Sequence, residues 1–142
     1  MSKVKRPPRH QARELVLKAL YALDCGTEES FESLSKETAL AEKHLKFAGE
    51  LFETCRKNVK WADEQITLLA TNWRIERINY IDKNILRMAM VELQYMPDAP
   101  LKVVLNEAIE LAKTFSTHES AAFVNGILDS FAKALLPKPA SI

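Results

Sequence analysis

Residues 79–115 read NYIDKNILRMAMVELQYMPDAPLKVVLNEAIELAKTF, and this run decides the fold. Apolar side chains recur at Ile81, Ile85, Leu86, Ala89 and Leu93, and again at Val104, Ala108, Leu111, Ala112 and Phe115. Spacings of three and four put each set on one stripe of an α-helix, whereas a half-buried strand would alternate every second residue. Asn79 is placed to cap the first of these helices, since its side chain can accept from a free first-turn N–H. Pro97 and Pro100 lack the N–H that a helix interior needs, so the first helix ends near Met96 and the next begins after Pro100.

The same period extends in both directions. Downstream, a helix from about His118 to Leu135 carries Val124, Ile127, Leu128, Phe131 and Leu135 on one stripe, and Pro137 and Pro139 close it. Upstream, Pro8 suits the first turn of a helix whose stripe is Ala12, Leu15, Val16, Ala19, Leu20 and Leu23, with Gly26 as its stop. Ser30 caps a short helix through Phe31 and Leu34. A third helix, about Glu42 to Asn58, uses Leu45, Ala48, Leu51, Phe52 and Cys55. A fourth, around Asp63 to Asn72, is expected to bury Ile66, Leu69, Ala70 and Trp73. Only three glycines and six prolines interrupt 142 residues, so seven helices joined mostly by short loops should pack as an all-α bundle. Residues 1–8 read as a basic arm, 9–136 as a single helical domain and 137–142 as a frayed tail. Gly49 and Gly126 fall inside helices, at roughly 1 kcal/mol each relative to Ala. Close helix approach is the expected reason, with backbone access for a ligand as the alternative at Gly126, beside Asn125.

Charge is distributed unevenly. The first 13 residues contain Lys3, Lys5, Arg6, Arg9 and Arg13, plus His10, and no carboxylate. The other 129 hold 15 Lys/Arg against 19 Asp/Glu, a balance of −4 hidden inside a whole-chain charge of +1. An unpaired basic head of this density suits a polyanion, because each neutralised phosphate releases condensed counterions.

Other chemistries fare worse. No glycine-rich loop exists to cradle a phosphate. His10, His44 and His118 are scattered, Cys25 and Cys55 stand thirty apart, and no metal-ligand spacing or catalytic elbow is present. Glu107, Glu110 and Lys113 have the spacing of a solvated, ion-paired helix face. No enzyme, metal or cofactor is expected. The N-terminus lacks a signal peptide's apolar core and no run approaches the ~20 apolar residues of a membrane span, so a cytoplasmic protein with reduced thiols is expected. Three features exceed a bland bundle. Tyr21 ends the stripe of the first helix, Asp82 sits in the first turn of the fifth, and a polar loop, Ser116-Thr117-His118-Glu119-Ser120, leads into Phe123-Val124-Asn125-Gly126.

Six strings carry a resemblance. Arg9-His10-Gln11-Ala12-Arg13-Glu14 with Leu20-Tyr21, Ile81 to Arg87 with Glu92-Leu93, Val104 to Lys113, and Phe123 to Asp129 resemble, in order and spacing, the NusB family of bacterial transcription antitermination factors. The resemblance implies a fold of seven helices in two small helical subdomains. It also implies a non-enzymatic factor that, with the small-subunit ribosomal protein NusE, binds single-stranded boxA RNA of nascent ribosomal RNA transcripts. That complex joins NusA, NusG and RNA polymerase, which then resists termination. Lys5, Arg6, Arg9 and Arg13 would belong to the RNA surface, with Thr117, His118, Glu119, Ser120, Phe123 and Asn125 beside it, and Tyr21 and Asp82 would face NusE. Two departures thin the electrostatics. His10 and Gln11 interrupt the family's arginine run, and Ala122 stands where Lys is frequent, so modest affinity for RNA without the partner is expected.

Two other readings compete. Such helical modules also occur fused to RNA cytosine methyltransferases, but this sequence shows no Rossmann half and no catalytic Cys motif. The other is a homodimeric helical interaction module without intrinsic RNA specificity, paired through the apolar rim around Tyr21.

Overall fold

The computed structural model describes residues 6–96 and 98–135; Lys5, the rest of the arm before Arg6 and the 137–142 tail lie outside them. Seven α-helices follow in order: α1 Pro8–Cys25, α2 Phe31–Lys36, α3 Glu42–Lys57, α4 Val59–Leu69, α5 Tyr80–Tyr95, α6 Leu101–Phe115 and α7 His118–Leu135. A single 3₁₀ turn, Ile75–Arg77, lies between α4 and α5, and no strand occurs among the described residues. The expected punctuation operates. Gly26 ends α1 in the left-handed region at φ 68°, Ser30 and Ser33 cap α2 reciprocally, and the Asn79 side chain accepts from the Asp82 N–H at 2.8 Å.

α5 is the axis of the molecule. It packs on α1, α3, α4, α6 and α7. Eleven consecutive residues, Asp82 to Glu92, are buried, as expected of a helix with neighbours all round. Polar members of that run therefore need partners. Arg87 supplies them as a fork: Nε and Nη2 donate to Asp63 at 2.6 and 2.8 Å, while Nη1 donates to Asp24 at 2.7 Å. Asn84 Nδ2 donates to Asp24 as well. Burial works against the charged Arg87 guanidinium, but hydrogen bonding and attraction from Asp63 and Asp24 outweigh it and raise its pKa. One guanidinium on α5 thus ties α1 to α4.

Several expectations need correction. α4 begins at Val59, not Asp63, because Asn58 (φ −118°, ψ 20°) breaks the helix for a single residue. Trp73 lies beyond α4 and is 56% exposed, and Leu23 is 54% exposed, so neither joins the core. A β-carbon at Gly49 would meet only the Phe31 ring at 3.8 Å, an ordinary contact, and one at Gly126 would meet nothing within 4 Å. Close helix approach explains neither glycine.

Candidate functional site

The basic head does not stay unpaired. Arg13 is buried and donates through Nε and Nη2 to both oxygens of buried Glu92, at 2.8 and 2.6 Å. His10 is also buried, with Nδ1 against Glu107 and Nε2 2.9 Å from Glu14. Arg6 remains exposed and reaches Glu110 at 3.7 Å. The half-buried Glu107 and Glu110 are therefore anchors for α1, which corrects the expectation of a solvated face paired to Lys113. Sequence distances of 79 to 104 residues hid these partners. Arg9 alone of the head's described cations has no carboxylate partner among the described residues. Its guanidinium lies over the Phe47 ring, 3.8 Å from the centroid.

Arg9 and Arg13 line a cavity of about 640 Å³ that opens between the start of α1, α3 and the turn from α5 to α6. Lys43 and Lys46, three apart on α3, stand on its rim. The charge profile of the N-terminus gave no hint of these two lysines, since only tertiary packing brings α3 beside α1.

The polar loop lies elsewhere. Twelve residues separate Arg9 from Tyr21 along α1, about 18 Å at 1.5 Å per residue. The loop belongs to the Tyr21 end, because Ser116 and Tyr21 line one cavity with Asn79, Tyr80 and Lys83. A second cavity, about 240 Å³, gathers Asp82, Thr117, Glu119, Ser120 and Phe123 with Trp73 and Arg77. Both share Arg77, Ile78 and Asn79 as a common wall. Tyr21, Asp82 and the loop thus form one continuous surface, and the basic head forms another.

Individual side chains in this surface have distinct duties. Thr117 Oγ1 accepts from the Ser120 N–H at 2.9 Å and caps α7, while Ser116 and Thr117 hydroxyls both donate to Ser120 Oγ. Ser120 is buried, so these two hydroxyls serve the helix start. His118, Glu119 and Asn125 are exposed, and Phe123 is half-buried with its ring edge-on to Trp73 at 6.3 Å. Tyr21 is 39% exposed; its hydroxyl pKa is raised by a hydrogen bond and charge interaction with Cys25. Asp82 is 5% exposed, which departs from the open rim position implied for it. Its Oδ2 accepts from Asn79 Nδ2 at 3.1 Å, yet its Oδ1 is buried without a partner. Arg77 is an addition that sequence reasoning missed, since no periodicity marks a residue held by a 3₁₀ turn, and Trp73, expected in the core, joins this surface instead.

A seven-helix bundle threaded on a buried central helix, with two lined surfaces, one of them a groove edged by Arg9, Lys43 and Lys46, has the arrangement of a binding protein. The NusB family model matches residues 10–133. The transcription antitermination protein NusB of Myxococcus xanthus is 42% identical over 134 residues, covering 89% of this chain and 96% of that protein. The protein of the same name from Dehalococcoides mccartyi is also 42% identical, covering 89% and 91%. Among solved structures, T. maritima NusB superposes with a TM-score of 0.82 at 34% identity, over 95% of this chain and 96% of that one. A structure of antitermination factors NusB and NusE in complex with double-stranded RNA has a TM-score of 0.75 at 23% identity, covering 89% and 97%, a likeness of fold. The chain belongs to the NusB family. Those curated relatives are named as transcription antitermination proteins and not as enzymes. No helix among the described residues is long and apolar enough to cross a membrane.

Proposed function

We propose that this protein is a cytoplasmic transcription antitermination factor that binds boxA RNA of nascent ribosomal RNA transcripts together with NusE. The complex would join NusA, NusG and RNA polymerase and help the polymerase resist termination. Family membership supports the general role, and the NusB–NusE–RNA complex of a protein with this fold supports the two immediate partners. The observation that carries the reading on this chain is the separation of its two surfaces by the length of α1. A cationic groove with exposed guanidinium and ammonium groups suits a nucleic-acid backbone. The Tyr21–Asp82 surface, with an exposed ring and an unpartnered carboxylate oxygen, suits a protein partner that donates a hydrogen bond or a cation. Arg6 and Arg9 then meet RNA directly, with Lys5 before them, and Arg13 forms the floor beneath. His118, Glu119, Phe123 and Asn125 would meet the RNA as it passes toward the partner, with Thr117 and Ser120 holding that helix start in shape.

Size-exclusion mass measured with and without NusE tests the partner half. A one-to-one complex that Tyr21→Asp abolishes supports it, since the substitution puts a charge where a ring would be desolvated. A homodimer indifferent to NusE would favour a helical interaction module instead.

A further inference from the structure

We infer that the cavity beside Arg9 is a single-nucleotide pocket, in which one base of a bound RNA strand stacks on the Arg9–Phe47 pair and accepts a hydrogen bond from Arg13 Nη1. This rests on the RNA-binding reading and adds to it a position and three residues on α3, Lys43, Lys46 and Phe47. Three features converge. Arg13 is 4% exposed, and its Nη1 is buried with no hydrogen-bond partner while the rest of its fork is spent on Glu92. A buried guanidinium donor left unmade is costly, so an acceptor arriving in the cavity gains what the folded chain leaves unused. The Arg9 plane covers the Phe47 ring on one side, and Arg9 is exposed at the cavity, which leaves its outer face for a base. Lys43 and Lys46 are exposed on the rim, with no carboxylate partner among the described residues.

The charges sort base from phosphate. Glu92 already neutralises Arg13, so a phosphate on the floor would meet a carboxylate; a base carbonyl or ring nitrogen carries no such penalty. Phosphates belong at the rim, where two lysines outside the Arg13–Glu92 pair can follow the backbone. Val103 and Pro100 supply apolar lining from the start of α6, suited to the face or edge of a base. The carboxylates Glu50 and Asp98 also line the cavity, which limits the number of phosphates it can hold to those beside Lys43 and Lys46.

The test uses the full chain and a fluorescein-labelled boxA RNA, read by anisotropy across a salt series with NusE present. Lys43→Ala/Lys46→Ala should lower the log–log salt slope by about 1.4, at ~0.7 per single-strand phosphate contact. Arg9→Lys keeps the charge and loses the stacking plane, so it should weaken binding about ten-fold with little change in slope. A 4-thiouridine RNA should crosslink to residues 9–13 or to α3. All three substitutions are at exposed positions, and thermal melting confirms that each variant is folded. Parent-like slope and affinity in every variant, with tight RNA binding by the parent, would overturn the pocket and leave the antitermination reading standing. A parent chain that binds no RNA, with NusE present, would overturn both.

Discussion

Arg9 and Arg13 are four residues apart on one helix face, yet they do different jobs. Arg13 spans α1 and α5 through a buried ion pair, and removing one partner of such a pair strands the other charge. Arg13→Ala should therefore cost about 3–5 kcal/mol of stability, read by urea unfolding. Arg9→Ala should change the unfolding free energy by no more than about 0.5 kcal/mol, as expected for an exposed site. The pair of measurements separates the scaffold from the contact surface. A triple substitution of Arg6, Arg9 and Arg13 would confuse the two, because it unfolds the start of α1 while removing phosphate contacts. Cys55 offers a second check at this scale. Burial, helped by the Glu92 charge and opposed by Arg87, pushes its thiol from an ordinary 9.0 up to about 12. A raised folded pKa means that the folded state prefers the protonated thiol. The stability is fully present below pH 9 and is lost as pH climbs from 9 toward 12. Cys55→Ala should flatten that alkaline loss relative to the parent, and an Ellman titration of the folded protein should modify exposed Cys25 and spare Cys55.

At the scale of single elements, the start of α7 carries a charge that its own helix favours and a polyanion would not. Glu119 is exposed in the first turn, where a carboxylate complements the helix dipole. Glu119→Gln should tighten RNA binding by about 0.5–1 kcal/mol, since screening at a surface limits the gain. Helical content should hardly change. Phe123→Ala is the matched case. Its half-buried ring against exposed Trp73 is free to stack on a base, and its loss should cost roughly 1–3 kcal/mol of RNA affinity. A large fall in melting temperature with affinity retained would assign the ring to packing instead. Element boundaries were mostly legible, because caps and prolines act locally: Gly26, Ser30, Asn79 and Pro100 all mark the ends that the structure shows. The start of α4 was not, since a single non-helical Asn58 leaves no mark in an apolar stripe that reads through it.

At the scale of the whole molecule, the stripes revealed seven helices, but only packing revealed that α5 is buried on all sides rather than on one face. Its buried run includes Asp82, Lys83, Asn84, Arg87 and Glu92, which a hydropathy pattern places at the surface. The burial of Asn84, Arg87 and Glu92 became intelligible only with Arg13, Asp24 and Asp63, partners remote in sequence. The same blindness made the basic head look free and the loop look adjacent to it, when the loop lines a cavity with Tyr21, about 18 Å along α1 from Arg9. Asp82 shows the consequence for testing. Asp82→Lys would bury an ammonium at a helix N-terminus and destabilise the fold, so Asp82→Asn is the informative change. It should weaken NusE binding and leave the melting temperature close to the parent's. The central claim is that the groove beside Arg9 holds the RNA while the Tyr21–Asp82 surface holds NusE. Fluorescence anisotropy with a boxA RNA and a scrambled RNA of equal length, each with and without NusE, tests it directly. Tighter binding of boxA than of the scrambled strand, strengthened by NusE, is the predicted result; equal affinity for both strands, unmoved by NusE, would contradict it.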